Sequence, residues 1–381
     1  MALAPAACRR ARRGARAREL LACDKVSIQY TVTRVAPLDI KPDLLRIWGR
    51  NLRVAGDVDD RFRWTYQQAP EAWDHVFVLA AHEGAPPLHL VGTAGVEVRP
   101  FAGGGRELRV ALGCNLAVDP THRTLLPGLQ LVRAVRRDTH AEFDLTYNFP
   151  NERAQALYAR AGYHDLGEVP RYVRVLRHAP YVGRYIGVPW LARPVGAAAD
   201  LASRARRAIG RRRAARAFQL AWLAVPDRRF DALWENARGD YPIVARRDAA
   251  WLRWRYLACP GSCARIAALV ERGPAAAVRA YAVVEQLETV AHVRDLFGRR
   301  RDLDPLLALL LPELRDRGAT SASFRYLGSE VVVGVLRAHG FRVRDARRRV
   351  CVDAGAALTE DERRTAMNPT AWHLTEYDED S

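Results

Sequence analysis

Two octapeptides, 190 positions apart, constrain this chain more than any other feature. Residues 63–70 read Arg-Trp-Thr-Tyr-Gln-Gln-Ala-Pro, and residues 253–260 read Arg-Trp-Arg-Tyr-Leu-Ala-Cys-Pro. A second pair, LYARAGY at 157–163 and VLRAHGF at 335–341, stands 178 positions apart, and each member ends a predicted helix on glycine followed by an aromatic residue. A solenoid repeats every few tens of residues with a fixed period. Recurrence at domain length with a drifting offset instead predicts duplication of a whole fold. A chain of 381 residues is long enough to bury two cores. The expected organisation is a basic disordered tail over 1–25, one lobe over 26–178, a basic helical linker over 179–224, a like-folded lobe over 225–356 and an acidic tail over 357–381.

Within the first lobe, strand-like runs alternate with helical ones. A helical stretch, DLLRIWGRNLRVAG, is followed by the strand-like HVFVLAAHEG and LHLVGTAGVEVRPF, then LRVALGCNLAVDP, a helix from about Leu126 to Arg137, the strand FDLTYNF, the helix from Asn151 and a last strand YVRVLR. Strands that feed helices and return predict an α/β (α+β) fold, with a mixed central sheet flanked by helices in each lobe.

The net charge of +17 raises the question of nucleic acid. Much of the excess sits in the segments 1–25 and 179–224, and only Lys25 and Lys41 among the 60 basic side chains are lysines. That skew fits the codon usage of a GC-rich genome. No reading motif or row of stacking aromatics accompanies the arginines, so no nucleic-acid partner is expected. The 179–224 segment is expected to be solvated, to touch an anionic membrane surface peripherally, or to pair with the acidic end TEYDEDS. The cysteines at 8, 23, 114, 259, 263 and 351 have no zinc-like spacing, so free thiols in the cytoplasm, and no metal, are expected. No apolar run is long enough to span a bilayer.

The run NERAQALYARAGY, residues 151–163, reads as Asn-x-x-Ala-x-x-Leu-Tyr-x-x-x-Gly-aromatic and resembles the C-terminal-side helix of the GNAT superfamily of acyl-CoA N-acyltransferases. NLAVDPTHRTLLPGLQLVRAV is similar to the superfamily's strand, phosphate loop and helix, with Arg123, Leu126 and Gly128 at the Arg-x-x-Gly-x-Gly positions. The resemblance spans roughly 30–176 and, more weakly, 225–350. It implies an acyl-CoA co-substrate, with acetyl-CoA the leading member. Its pyrophosphate would lie at Arg123, Thr124, Leu125, Leu126, Gly128 and Leu129, where a helix N-terminus offers free N–H groups. The backbone of Leu116, Ala117 and Val118 would run beside the pantetheine, which Asn151 and Ala154 would also contact. Leu126 stands where the pattern has glycine, and Pro127 has no N–H, so a reshaped phosphate site is expected.

The resemblance further implies that Tyr158 is the general acid that protonates the departing thiolate. A phenol of pKa about 10 suits a thiol leaving group. Glu97 and Glu107, on neighbouring strand-like runs, are the candidate bases for an incoming amine. Asn151 also reads as an ordinary N-cap. In the second lobe Ser329, Val332 and Leu336 stand where Asn151, Ala154 and Tyr158 stand in the first. That lobe is therefore expected to be a degenerate copy. The function implied is direct transfer of an acyl group from acyl-CoA to the primary amine of a small acceptor. The alternative is an inactive binding or scaffold module of the same fold.

Overall fold

A computed structural model of the chain describes residues 28–52, 56–82, 89–178, 197–198, 201 and 208–380. The first half runs β1 (Gln29–Val35), α1 (Lys41–Asn51), α2 (Val58–Tyr66), β2 (Val76–His82), β3 (His89–Gly103), β4 (Arg106–Val118), α3 (Leu125–Glu142), β5 (Leu145–Asn148), α4 (Gln155–Ala161) and β6 (His164–Val175). The second runs β7 (Phe218–Leu223), α5 (Arg228–Ala237), β8 (Ile243–Ala245), α6 (Ala249–Leu252), β9 (Arg265–Glu271), β10 (Val278–Leu287), β11 (Val290–Gly298), α7 (Arg300–Asp316), β12 (Ser321–Arg325), β13 (Leu327–Gly328), α8 (Glu330–Ala338), β14 (Arg342–Ala354), α9 (Glu360–Ala366) and β15 (Trp372–Leu374).

Strands β1 to β4 pair antiparallel in succession, and β5 joins β4 in parallel. Strands β7, β9, β10 and β11 do the same, with β12 parallel to β11. The two blocks join by exchange. β14, from the second half, lies between β5 and β6 of the first, and β6 in turn pairs with β12. All strands of the described residues therefore belong to one mixed sheet. Neither half has a complete sheet without a strand from the other.

Burial explains why these strands read as they do. β2, VFVLAAH, is buried on both faces, with Phe77 and Leu79 under α3 and Val76 and Val78 under α1 and α2. A strand covered on both sides reads as a continuous apolar run rather than an alternation. The recurrent tryptophans meet where the halves meet. Trp64 and Trp254 stack with centroids 4.5 Å apart and planes 3° from parallel. Trp64 Nε1 donates to the Trp254 carbonyl at 2.8 Å, and Trp254 Nε1 donates to the Trp64 carbonyl at 3.0 Å. Each residue does to its counterpart what the counterpart does to it, the signature of a self-complementary contact about a twofold axis.

Two expected boundaries change. Residues 218–223 of the expected linker form β7, which pairs along its length with β9. Of the rest of that segment, residues 208–217 are helical, as expected, while 179–196, 199–200 and 202–207 lie outside the described residues, as does the whole of 1–25. The expected acidic tail is folded instead. Residues 360–366 are helical, and Trp372, Leu374, Tyr377 and Asp378 are at most 1% exposed. Its acidic groups are held by arginines of the folded body rather than of the linker. Arg247, itself fully buried, binds Asp378 at 2.6 Å and Asp295 at 3.2 Å, and Arg348 binds Glu379 at 2.5 Å. Buried charges persist only when paired in this way. No helix among the described residues is long and apolar enough to cross a membrane.

Candidate functional site

β4 and β5 start as a parallel pair through Val110–Leu145, Ala111–Thr146 and Leu112–Tyr147, and their pairing stops there. The residues that follow force them apart. A Cβ on Gly113 would lie 2.0 Å from Asn148 Oδ1, so the Asn148 amide fills the space the next ladder rung needs. Two residues later Asn115 takes φ +51°, and the β3–β4 register slips between Gly95–Cys114 and Thr93–Ala117. Asparagine tolerates this left-handed conformation better than other side chains, and the resulting bulge bends the strand.

The gap is a crevice of about 280 Å³. Gly113, Cys114, Asn115 and Leu116 line one side; Phe149, Pro150, Asn151, Ala154 and Tyr158 line the other. Arg348 of β14 and Asp380 near the chain end also line it. Asn148 lies deeper, 1% exposed, with neither amide atom hydrogen-bonded to the protein. It borders a small cavity shared with Tyr158 and Tyr163, and a buried amide without protein partners is a group prepared for a polar ligand or water.

Tyr158 reaches the crevice from α4. It is 8% exposed, packs edge-on against Tyr163 at 5.2 Å and shares a small core with Leu129, Val132 and Cys351. Burial disfavours the phenolate and pushes the Tyr158 pKa well above 10. Asn151 turns the chain into α4. Its Oδ1 accepts from the Arg153 and Ala154 amides at 3.1 and 3.0 Å, while its amide N–H groups take no part in that turn. The helix closes on Gly162 at φ +90°, a conformation glycine adopts without strain. Ser329 occupies the matching position before α8, accepting from the Val331 amide at 3.2 Å, but Leu336 is buried in the core where Tyr158 faces the crevice.

At the start of α3, Thr124 N donates to the His122 carbonyl at 2.8 Å. The amides of Leu125 and Leu126 are left without intrahelical acceptors, and Pro127 has none to offer. Leu125 and Leu126 are 47% and 56% exposed, so their side chains point to solvent, and neither lines the crevice. Gly128 is buried, and a Cβ there would approach Leu157 Cδ1 to 3.2 Å, so glycine lets α3 and α4 pack closely. Leu129 is core.

Arg123 departs from expectation. Its Nε donates to the Val118 carbonyl at 2.7 Å and its Nη2 to Asn51 Oδ1 at 2.6 Å. The guanidinium thus fastens the end of β4 to α1, and the Val118 carbonyl is already engaged. Leu116 lines the crevice, whereas Ala117 is buried beneath α1.

The candidate bases are not where the sequence reading put them. Glu97 is 4% exposed and does not line the crevice; it pairs with buried Arg99 at 2.7 Å. Glu107 lies at the opposite end of β4, largely exposed, with Arg246 at 3.8 Å. Nine residues of strand separate it from Leu116, roughly 30 Å at about 3.3 Å each. Neither meets Tyr158. Asn115, Arg348 and Asp380 line the crevice and Asn148 lies behind it, and the sequence reading missed all four. Only Asn148 carried a signal, as a polar residue ending a buried strand just before the motif.

A second cavity, of about 310 Å³, lies between α5 and α7, lined by Arg228, Arg229, Arg279, Arg299 and Asp302. Arg229 is engaged by Asp227 at 2.8 Å and Arg299 by the Asn236 carbonyl at 2.9 Å. It contains none of the motif residues.

No protein-family model matches the chain, and no curated protein sequence matches it. Solved structures do. A protein of Enterococcus faecalis V583 described as a probable N-acyltransferase superposes with a TM-score of 0.59 at 10% identity, over 86% of this chain and 73% of its own. A GCN5-related N-acetyltransferase from Anabaena variabilis gives 0.56 at 12% identity, over 86% and 73% of the two chains. One from Kribbella flavida gives 0.55 at 13%, over 86% and 71%. The chain has the α/β fold of the GCN5-related N-acetyltransferases.

Proposed function

We propose that this protein is an acyl-CoA-dependent N-acyltransferase whose working site is the crevice between β4 and β5, in the first of two tandem, like-folded halves. The observation that carries the reading is the parting of β4 and β5 beside a buried phenol. The unpaired edge of β4 from Gly113 to Leu116 offers backbone groups to an extended amide-bearing chain such as pantetheine, and Asn148 and Asn151 offer side-chain amides. The Leu125 and Leu126 amides at the start of α3, with the macrodipole behind them, suit a pyrophosphate. Tyr158 would give its proton to the sulfur that leaves. Because burial keeps the phenol neutral, it remains a donor through the whole range in which amines lose their protons.

The second half lacks these parts. Ser329 and Leu336 replace Asn151 and Tyr158, and its role in this reading is structural: it completes the sheet and supplies β14 to the crevice wall.

The test is release of free thiol from acetyl-CoA across a panel of small primary amines, including amino sugars, amino acids and polyamines. The expected result is amine-dependent thiol release that saturates in acetyl-CoA, with no alkaline fall in rate before pH 10, since a descending limb there would require an ordinary phenol. One observation favours a second reading. With only two amides free at the start of α3, the fold would be a binding module, holding the coenzyme without turning it over. Coenzyme binding without thiol release on every amine is the result that selects it.

A further inference from the structure

The crevice lacks the base the sequence reading assigned to it, because Glu97 is locked to Arg99 and Glu107 lies at the far end of β4. One carboxylate does line it. Asp380 shares the crevice wall with Asn115, Asn151 and Tyr158, although it lies far from them along the chain. We propose that Asp380 is the catalytic base and ammonium-binding group of this site, so that the acceptor is a primary amine that enters as its cation. The proposal rests on the acyltransferase reading above.

The segment 376–379 that leads to Asp380 is fixed there. Arg255, from the second copy of the tryptophan motif, donates to the carbonyls of Tyr377 at 2.9 Å, Glu376 at 3.1 Å and Glu379 at 2.9 Å. Tyr147, on β5 beside the point of strand separation, donates to the Asp378 carbonyl at 2.9 Å. A segment held by four such bonds presents its next side chain in a defined place. The arginines around Asp380 are partly committed elsewhere: Arg61 of α2 donates to Asn115 Oδ1 at 3.2 Å, and Arg348 of β14 binds Glu379 at 2.5 Å. Glu97 of β3 adds negative potential, and Cys114 of β4 and Tyr158 of α4 are neutral neighbours, their pKa values raised by burial. Burial likewise raises the Asp380 carboxyl above its ordinary value, with Arg61 and Arg348 opposing the rise. A carboxylate that is partly desolvated and not ion-paired among the described residues gains most from an arriving cation.

The step balances. The ammonium gives one proton to the Asp380 carboxylate, and the freed nitrogen attacks the thioester carbon, forming the C–N bond. Collapse breaks the C–S bond; the sulfur takes the Tyr158 proton, and the phenolate recovers one from the nitrogen. The carboxylic acid then releases its proton to water. The products are amide, free thiol and one proton.

The experiment compares wild type, Asp380→Asn and Asp380→Glu in the intact chain, with putrescine and hydroxylamine as acceptors and acetyl-CoA as donor. Putrescine is protonated near neutrality, whereas hydroxylamine is largely neutral there and needs no base. Asp380→Asn is expected to lower kcat/KM for putrescine by about 10²-fold or more at pH 7 and to steepen its dependence on pH. It should leave hydroxylamine turnover and acetyl-CoA affinity within about twofold, and Asp380→Glu should restore part of the putrescine rate. Unchanged putrescine turnover in Asp380→Asn overturns the assignment. So does an equal loss on both acceptors, which marks a structural role. If wild type releases no thiol with either acceptor, it is the acyltransferase reading beneath the assignment that fails.

Discussion

Replacing Trp64 by alanine is expected to destabilise the protein by about 3–5 kcal/mol, the range for removing a large buried aromatic side chain. The effect should exceed that of an ordinary core residue of the same half. Trp64 stacks on Trp254, each indole N–H reaches the other's carbonyl, and Arg61 lies over the Trp64 ring at 5.1 Å. Alanine would leave the Trp254 carbonyl without its donor as well as opening a cavity. Trp64→Phe, which keeps apolar bulk and loses only the hydrogen bond, should cost less, about 1–3 kcal/mol. The same contact and the exchanged strands predict that both halves unfold together. Calorimetry of the wild type should show a single transition, shifted as one in Trp64→Ala. Two transitions, only one of them moved by the substitution, would mean that the halves are stabilised separately.

Tyr158→Phe is expected to lower the rate of thiol release by about 10²–10⁴-fold, the usual contribution of a positioned general acid. The substitution removes one oxygen from a ring that remains packed against Tyr163, Leu129 and Cys351. Stability and coenzyme affinity should therefore change little, and the loss should appear in kcat rather than in KM. Thiol leaving groups of lower pKa need less protonation, so the defect should shrink with a more activated thioester. A fall in kcat that is the same for every leaving group, or a variant that turns over at the wild-type rate, would remove Tyr158 from the chemistry.

Local signals carried much of this architecture. The turn at Asn151 and the left-handed glycine that closes the helix were legible because both are local features, although the helix itself starts only at Gln155, with Ala154 rather than Asn151 at its N-cap. The two Arg-Trp-x-Tyr segments meet in the structure, where Trp64 stacks on Trp254. The strand exchange was not legible. Whether β14 returns to its own half or crosses to the other depends on long-range pairing, and its sequence is equally suited to both. The acidic end was misjudged for a related reason. A run of carboxylates reads as solvated unless its partners are known, and Arg247 and Arg348, which bury Asp378 and Glu379, lie more than a hundred and about thirty residues away respectively.

The candidate site divides in the same way. Tyr158, Asn151 and Ala154 follow from the helix they start, and all three line the crevice. Arg123 was assigned by charge and position, yet its side chain is committed to the end of β4 and to Asn51. Glu97 looked like a strand carboxylate free to act, but on the buried face it met Arg99. Charge alone does not say which partner a group will find. The crevice itself depends on Gly113 and Asn115, an unbranched contact and a left-handed turn inside an otherwise regular strand. Such an irregularity within a strand pattern is a recognised sign of a bulge, but only the three-dimensional neighbour, Asn148, shows why this one opens a gap.

The most direct test of the account is a calorimetric titration of acetyl-CoA into the wild-type protein. The account predicts saturable binding of one molecule per chain, at the parting of β4 and β5, with none at the second half. Absence of binding at millimolar coenzyme, or two equivalent sites per chain, would contradict it.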